Sequence, residues 1–191
     1  ANTDSDGVEP WEGLPNDYIQ AIAVDGKGTA WIGTSAGLTE FDGKTWTTYT
    51  SEDSGLASDN VQDIFIHPDG ALWIGTSWGL SHFDGSKWTN YKEQEGLANS
   101  SVQAIVMDSE GHLWFATSGG VSMFDGAVWK SYTPADGLTA LRVNDLAFDS
   151  KGTLWIGTYD SGVSRFVTGA APPPKEKPVE EGAVPKPQPA G

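Results

Sequence analysis

A fourfold repeat of about 41 residues constrains the fold of this chain more than any other feature of its sequence. The segment Trp-Ile-Gly-Thr begins at Trp31, Trp73 and Trp155, and the related Trp-Phe-Ala-Thr begins at Trp114. These tryptophans are therefore 42, 41 and 41 residues apart. Internal repetition with a period of about 40–45 residues is typical of propellers, in which each copy forms one structural unit.

Further residues recur at fixed offsets from these tryptophans. A Leu precedes each Trp by 17 residues, a Gly follows it, and a Phe comes four residues after the Gly. The positions are Leu14, Leu56, Leu97, Leu138, Gly37, Gly79, Gly120, Gly162, Phe41, Phe83, Phe124 and Phe166. The first three copies then close with Phe-Asp-Gly-x-x-Trp-x-x-Tyr, whereas the fourth runs from Phe166 into a proline-rich segment.

Each copy has the pattern of four short strands. In the second copy an apolar, β-branched run is followed by a turn, two further apolar segments and an outer aromatic segment. Asp84-Gly85 is a strong hairpin signal because Gly adopts positive φ at no steric cost. The predicted strands of this copy are Val61–Ile66, Leu72–Thr76, Gly79–Phe83 and Trp88–Tyr91. We therefore predict an all-β fold, a small β-propeller of four four-stranded blades with the repeat tryptophans packed between blades.

These motifs resemble the two-component regulator propeller family, whose repeat contains D-x-x-G-x-L-W-I-G-T, then G-L-x-x-F-D-G and W-x-x-Y. The resemblance covers residues 14–168. It implies the propeller fold and an extracytoplasmic location, whether periplasmic, cell-surface or secreted. Family members commonly carry many more repeats within membrane-bound signalling proteins. The family's signalling role is therefore not carried over with its fold.

The repeats divide the chain into three parts. Residues 1–13 form an N-terminal segment, residues 14–169 the propeller, and residues 170–191 a tail. The blades span about 14–50, 55–92, 96–133 and 137–168. Because Asp6-Gly7 and Trp11 resemble the missing outer-strand motif of the fourth copy, we expect residues 5–12 to complete that blade and close the ring. Two chains joining into a larger ring is the alternative.

The tail contains seven of the eleven prolines, in a segment poor in apolar residues. It should favour extended polyproline II. Two roles remain open for it, a solvated spacer or a docking strand for a groove on a neighbouring molecule.

Charge and composition exclude several classes of partner. The formal net charge is −15, which opposes binding to nucleic acid and to anionic lipid. No apolar run approaches the ~20 residues needed to span a bilayer, so we expect no membrane insertion. There is no Cys and therefore no disulfide framework.

No catalytic or metal-binding motif emerges from the sequence. His67, His82 and His112 stand at different repeat positions, with no His-x-His or His-Glu-x-x-His spacing. We therefore expect a non-enzymatic protein without metal or cofactor. The runner-up enzyme class is a lyase, because streptogramin-lyase-type propellers have a broadly similar Asp-Gly-x-Leu-Trp-Phe segment.

Candidate binding residues are those that depart from the repeat or recur without a packing reason. The loops between second and third strands should share one face with the loops that join blades. We place Trp78, Tyr159, Asp160 and Arg142 on this face. The inner strands carry a recurrent amide, which could bind a small polar ligand or satisfy neighbouring backbone: Gln20, Gln62, Gln103 and Asn144.

From these features we predict a recognition or scaffold module. Its partner would be a protein or a glycan, or it would assemble with copies of itself through the tail. The alternative within the same fold is the ligand-sensing module of a surface signalling system.

Overall fold

The computed structural model describes residues 13–167, and within them the chain forms four antiparallel sheets. The first contains β1 (Ile19–Val24), β2 (Ala30–Thr34), β3 (Gly37–Phe41) and β4 (Trp46–Tyr49). The second contains β5 (Val61–Ile66), β6 (Leu72–Thr76), β7 (Gly79–Phe83) and β8 (Trp88–Tyr91). The third contains β9 (Val102–Met107), β10 (Leu113–Thr117), β11 (Gly120–Phe124) and β12 (Trp129–Tyr132). The fourth contains β13 (Val143–Phe148), β14 (Thr153–Thr158) and β15 (Val163–Val167).

Each sheet is a simple meander in which successive strands pair, as in a propeller blade. The prediction of an all-β propeller with four blades is confirmed, and the four strands predicted for the second copy have the bounds observed. Two single-turn 3-10 helices, Glu93–Glu95 and Pro134–Asp136, lie between blades. No helix among residues 13–167 has the length and apolar character that a membrane crossing would require.

The turns between the third and fourth strands follow from Asp-Gly pairs. In the turn between β7 and β8, the Asp84 carboxylate accepts hydrogen bonds from the backbone N–H groups of Ser86 and Lys87 at 2.9 and 2.8 Å. Gly85 has φ +93°, a conformation that side chains with a Cβ rarely adopt. The Asp side chain thus accepts hydrogen bonds from backbone N–H groups within this four-residue loop.

The apolar core lies between neighbouring blades. We use the word seam for each of these contacts. In every seam a Trp from the second strand of one blade packs in one cluster with an Ile or Leu from the inner strand of the next blade. The pairs are Trp31 with Ile64, Trp73 with Ile105, and Trp114 with Leu146. These six side chains are all buried.

The blades form an arc rather than a ring among the described residues. β1 packs against β5, β5 against β9, and β9 against β13, while β13 and β1 have no comparable packing. The predicted closing strand, residues 5–12, lies outside the described residues, as does the tail, so closure within one chain is not confirmed. The expected packing of the repeat tryptophans between blades consequently fails for Trp155 in the fourth blade, which is 43% exposed. In the first blade, the inner strand β1 is also mostly exposed.

Tyr49 gives the first seam a testable response to pH. Burial raises the pKa of Tyr49 to about 12, and the Glu40 carboxylate, which accepts the phenol hydrogen bond at 2.7 Å, acts in the same direction. Because the folded-state pKa is raised above that of the unfolded chain, this contribution to stability is complete below pH ~10 and is lost as pH rises towards 12. Subtracting the ultraviolet titration of Tyr49→Phe from that of the wild type should give a midpoint near the higher value. A midpoint near 10 would contradict this assignment.

Candidate functional site

The loops between second and third strands and the loops that join blades lie on the same side of all four blades, as the sequence analysis expected. In each blade, the residue that begins the turn between the second and third strands donates a backbone hydrogen bond to the residue that leads into the inner strand. The pairs are Ser35 with Tyr18, Ser77 with Asn60, Ser118 with Ser101, and Tyr159 with Arg142, at 3.3, 3.1, 3.1 and 2.9 Å. We call this side the loop face. It contains Trp78, Arg142, Tyr159 and Asp160, as expected.

Trp78 is the most unusual residue of the loop face. Its side chain is 68% exposed, whereas its repeat counterparts are Ala36 and Gly119. The backbone N–H of Trp78 donates to the Thr76 hydroxyl at 3.2 Å, which fixes the turn without covering the indole. Within residues 13–167 no aromatic ring stacks on it. The turn therefore presents a large apolar ring to solvent.

Arg142 and Tyr159 form a pair in the fourth blade. The Arg142 guanidinium lies 4.5 Å from the centroid of the Tyr159 ring, in cation–π geometry. Both side chains are exposed. The turn that carries Tyr159 is longer by one residue than its counterparts, because the Thr158 hydroxyl bonds to the carbonyl of Gly162 whereas the Thr34 hydroxyl bonds to that of Gly37. The pair is thus built by an enlarged loop, and it makes no contact with Trp78 among the described residues.

Asp160 and Tyr18 are further exposed groups of this face. The Asp160 carboxylate accepts a hydrogen bond from the Ser161 hydroxyl at 3.0 Å, and the side chain is otherwise exposed. Tyr18, which the sequence analysis missed, is exposed at the lead-in position that Asn60, Ser101 and Arg142 occupy in the other blades. The rule that selected Trp78 would have selected Tyr18 as well, because it too is a large aromatic residue at a position where the repeat has small or polar side chains.

The four recurrent amides share a structural cause. In every inner strand the register against the second strand shifts at one residue, and that residue is the amide. The bulge residues are Gln20, Gln62, Gln103 and Asn144. A β-bulge leaves its extra residue unpaired in the ladder and turns its side chain to a new direction. A polar side chain at this point can satisfy the groups that the bulge exposes.

The amides differ in their partners. Gln20 Nε2 donates to Asn60 Oδ1 at 2.7 Å, which ties the first blade to the second, and Gln103 Nε2 donates to the Ser101 hydroxyl at 2.8 Å. The Oε1 atom of Gln62 is buried and has no hydrogen-bond partner among the described residues. Asn144 is exposed. The structure thus does not bring the four amides onto one shared contact, but Gln62 retains a free acceptor for a water molecule or a polar ligand group.

Asp63 is a second group that the sequence analysis missed. Its carboxylate accepts backbone hydrogen bonds from Ile64 at 2.9 Å and from Ile105 of the next blade at 2.7 Å. Burial raises the pKa of Asp63 and the charge of Asp145 acts in the same direction, while these two hydrogen bonds oppose them. An Asp within an apolar inner strand, where the first and third copies have Ala21 and Ala104, was the available signal.

Two histidines line one groove on the side of the blades opposite the loop face, although the sequence analysis treated them as scattered. His67 and His82 line a groove of about 180 Å³ between the second and third blades, together with Asp69 and Trp73. His67 Nδ1 lies 2.7 Å from an Asp69 carboxylate oxygen, and the His82 ring packs 4.5 Å from that of Trp73. Burial lowers the pKa of His82, so the neutral imidazole is favoured. Among residues 13–167, no three His, Asp or Glu side chains are arranged to hold a metal ion.

Comparison with known protein families gives a match over all four repeats. The model described as "Two component regulator propeller" matches residues 13–36, 55–78, 96–119 and 137–160, which together make up half of the chain. Each matched segment includes the lead-in, the inner strand, the Trp strand and the turn that follows. No curated protein matches the chain by sequence.

Solved structures share the fold at low sequence identity. The extracellular domain of a hybrid two component system from B. thetaiotaomicron superposes with a TM-score of 0.74 at 22% identity, over 82% of this chain and 22% of that one. A second extracellular domain from the same organism gives 0.69 at 22% identity, over 78% of this chain and 23% of that one. Catalytically inactive virginiamycin B lyase from Staphylococcus aureus gives 0.61 at 17% identity, over 81% of this chain and 58% of that one. The chain thus spans about a fifth to three fifths of the structures it resembles.

Proposed function

Because this chain belongs to the two component regulator propeller family, we propose that it is a non-catalytic, extracytoplasmic recognition module that binds a protein or glycan on its loop face. The single observation that carries the proposal is the exposure of Trp78. This residue lies in the turn between β6 and β7, where the first and third blades have Ala36 and Gly119. An exposed indole has no packing role in the blade, and Trp is among the residue types most enriched at the energetic centres of protein interfaces.

The composition of the loop face supports the same role. It combines the rings of Tyr18, Trp78 and Tyr159 with the Arg142 guanidinium. Aromatic residues and Arg dominate the energetics of protein interfaces, and aromatic rings offer a flat apolar surface with little conformational freedom to lose on binding. Because the protein is strongly acidic, Arg142 supplies a local positive charge to a partner that must otherwise approach a negative surface.

An extracytoplasmic location fits the structural relatives. The B. thetaiotaomicron proteins are extracellular domains of two component systems, and their blades superpose on these. In such a setting the recognition event would either be sensed by a partner protein or hold the module at a surface. Both the ligand-sensing role and the scaffold role would use the loop face. They differ because only the sensing role requires the bound propeller to pass a signal to a partner protein.

A lyase role has one supporting observation, the groove that holds His67 and His82. Metal analysis of the purified protein, followed by a turnover assay on quinupristin, the compound present in the virginiamycin B lyase structure, tests it. A stoichiometric metal together with turnover would replace the non-catalytic proposal. No metal and no turnover would leave recognition as the function.

We expect Trp78→Ala and Arg142→Ala each to weaken ligand binding by about 1–3 kcal/mol while the protein folds normally. The ligand would first be selected by probing oligosaccharide and peptide arrays with the purified protein, and its affinity then measured by calorimetry. Val128→Ala is a matched control, because Val128 is exposed on the turn between β11 and β12, on the side of the blades opposite the loop face. Wild-type affinity in both loop-face variants would place the site elsewhere. The absence of any ligand on either array would contradict recognition of a protein or glycan.

A further inference from the structure

The first blade exposes a face that is buried in every other blade. Ile22 corresponds to Ile64, Ile105 and Leu146, which are at most 7% exposed, yet Ile22 is 66% exposed. Ile19 corresponds to Val61, Val102 and Val143, at most 1% exposed, yet it is 40% exposed. Ile19 and Ile22 are thus apolar, like the residues that occupy the same positions in the buried seams. What is absent at this end of the described arc is the Trp strand of a preceding blade.

The fourth blade exposes the opposite half of a seam. Trp155 is 43% exposed, whereas Trp31, Trp73 and Trp114 are at most 7% exposed. Val163 is 62% exposed, whereas its counterparts are fully buried: Leu38, Leu80 and Val121. The Trp155 indole N–H donates to Asp149 Oδ2 at 3.2 Å, just as that of Trp114 donates to Asp108 Oδ2 at 3.0 Å. The ring is therefore already oriented for a seam that no described blade completes.

The polar contact that crosses the second seam also has a counterpart at the exposed face of the fourth blade. Asp63 uses one carboxylate oxygen for the N–H of Ile64 and the other for the N–H of Ile105 in the next blade. Asp145, its counterpart in the fourth blade, repeats the first bond by accepting from the N–H of Leu146 at 2.8 Å. The residue that corresponds to Ile105 for this blade would be Ile22, on the exposed face of the first blade.

We propose that these two faces are covered by a second copy of the chain. The fourth blade of each copy packs against the first blade of the other, which gives a twofold-symmetric ring of eight blades. Each new seam repeats the three internal seams, with Trp155 and Val163 of one copy against Ile19 and Ile22 of its partner. Each seam joins two unlike faces, and the twofold axis relates the two seams to each other, so both exposed faces of each copy are covered.

The geometry of the arc favours a second copy over closure within one chain. Successive blades pack through equivalent seams, and no comparable packing joins the inner strands of the fourth and first blades within the described residues. An outer strand added to the fourth sheet would cover only the Trp155 side, as Tyr49 stacks on Trp31 in the first blade, and would leave Ile22 without a Trp strand opposite it.

The repeat supplies the positions for a covalent test. A Cβ placed on Gly33 would lie 3.1 Å from that of Val61 across the first seam, and one placed on Gly75 would lie 3.4 Å from that of Val102 across the second. These separations are near the ~3.5–4.5 Å of disulfides. The corresponding pair across the proposed seam is Gly157 with Ile19. The protein has no Cys of its own, so the background is clean.

The experiment is mild oxidation of the full chain carrying both Ile19→Cys and Gly157→Cys. We expect a cross-linked dimer without free thiols on a non-reducing gel, returning to monomer on reduction. The single variants Ile19→Cys and Gly157→Cys should give no such closed dimer. A cross-linked monomer would show that one chain closes on itself. A ladder of multimers would show an open chain of arcs. Uncross-linked protein would show that the faces do not meet. Each of these three outcomes overturns the proposal.

A non-covalent measurement keeps the test valid if the cysteine variant does not fold. Light scattering should give the wild-type chain twice its monomer mass, and Ile22→Asp should give the monomer mass with unchanged circular dichroism. Val128→Asp, an equally exposed apolar position away from both faces, should remain dimeric. A monomeric wild type, or an Ile22→Asp variant that stays dimeric, would contradict the proposed seam.

Discussion

Replacement of Trp73 by Ala is expected to lower the free energy of unfolding by about 3–5 kcal/mol. Trp73 is buried in the seam between the second and third blades, where its ring centroid lies 5.7 Å from that of Tyr91 and 6.0 Å from that of Phe115. Removal of the indole leaves a cavity that rigid sheets cannot collapse to fill. Urea denaturation followed by circular dichroism measures the effect.

Trp78→Ala is the matched control for this variant, because the same side chain is removed from an exposed turn five residues away. We expect its free energy of unfolding to stay within about 0.5 kcal/mol of the wild type. If Trp78→Ala destabilised the protein as much as Trp73→Ala, the indole of Trp78 would be a packing group and the loop face would lose its principal anchor.

Gly120→Ala is expected to cost about 2–5 kcal/mol, from backbone strain and a forced shift of a neighbouring strand. Gly120 has φ +126°, and a Cβ at this position would collide with the backbone carbonyl oxygen of Tyr132. That carbonyl belongs to β12, which pairs with β11 and cannot rotate away like a side chain. Chemical denaturation of the purified variant gives the measurement.

Gly111→Ala separates the two contributions. Gly111 also has a positive φ, +89°, but a Cβ there would meet nothing within 4 Å. We expect a loss of about 1–2 kcal/mol from the backbone conformation alone. Equal losses in the two variants would mean that β12 yields without cost and that the close approach at Gly120 has no structural weight.

Local residue chemistry accounts for the part of the fold that the sequence predicted well. The alternation of apolar runs with turn residues set the bounds of β5 to β8, because each turn is satisfied by a nearby side chain. Asp69 and Asp84 do this in two of the turns, and the Thr76 hydroxyl does it between β6 and β7. The same repeat identified the seam tryptophans at positions 31, 73 and 114. These features depend on neighbours within one repeat or the next, and the spacing of the repeat reports such neighbours directly.

The candidate site was predictable where a residue departs from the repeat, and less so elsewhere. Trp78 and Tyr159 were found by that rule and are exposed on the loop face. The cation–π contact of Arg142 was not foreseen, since it needs the enlarged turn to bring two separate strands together. The amides were recognised, but their position at bulges was not, because register is a relation between strands and has no signature within one strand.

The sequence by itself determined the blade: its strand order, its turns, the apolar groups of its two faces and the number of copies in this chain. Only the tertiary structure decided how the blades are arranged around an axis. The rotation between blades results from the volumes and orientations of side chains that meet across a seam, such as Trp73 against Ile105. Because that packing sets an angle that four blades do not close, Ile22 and Trp155 carry seam residues at two faces that remain exposed in the described arc.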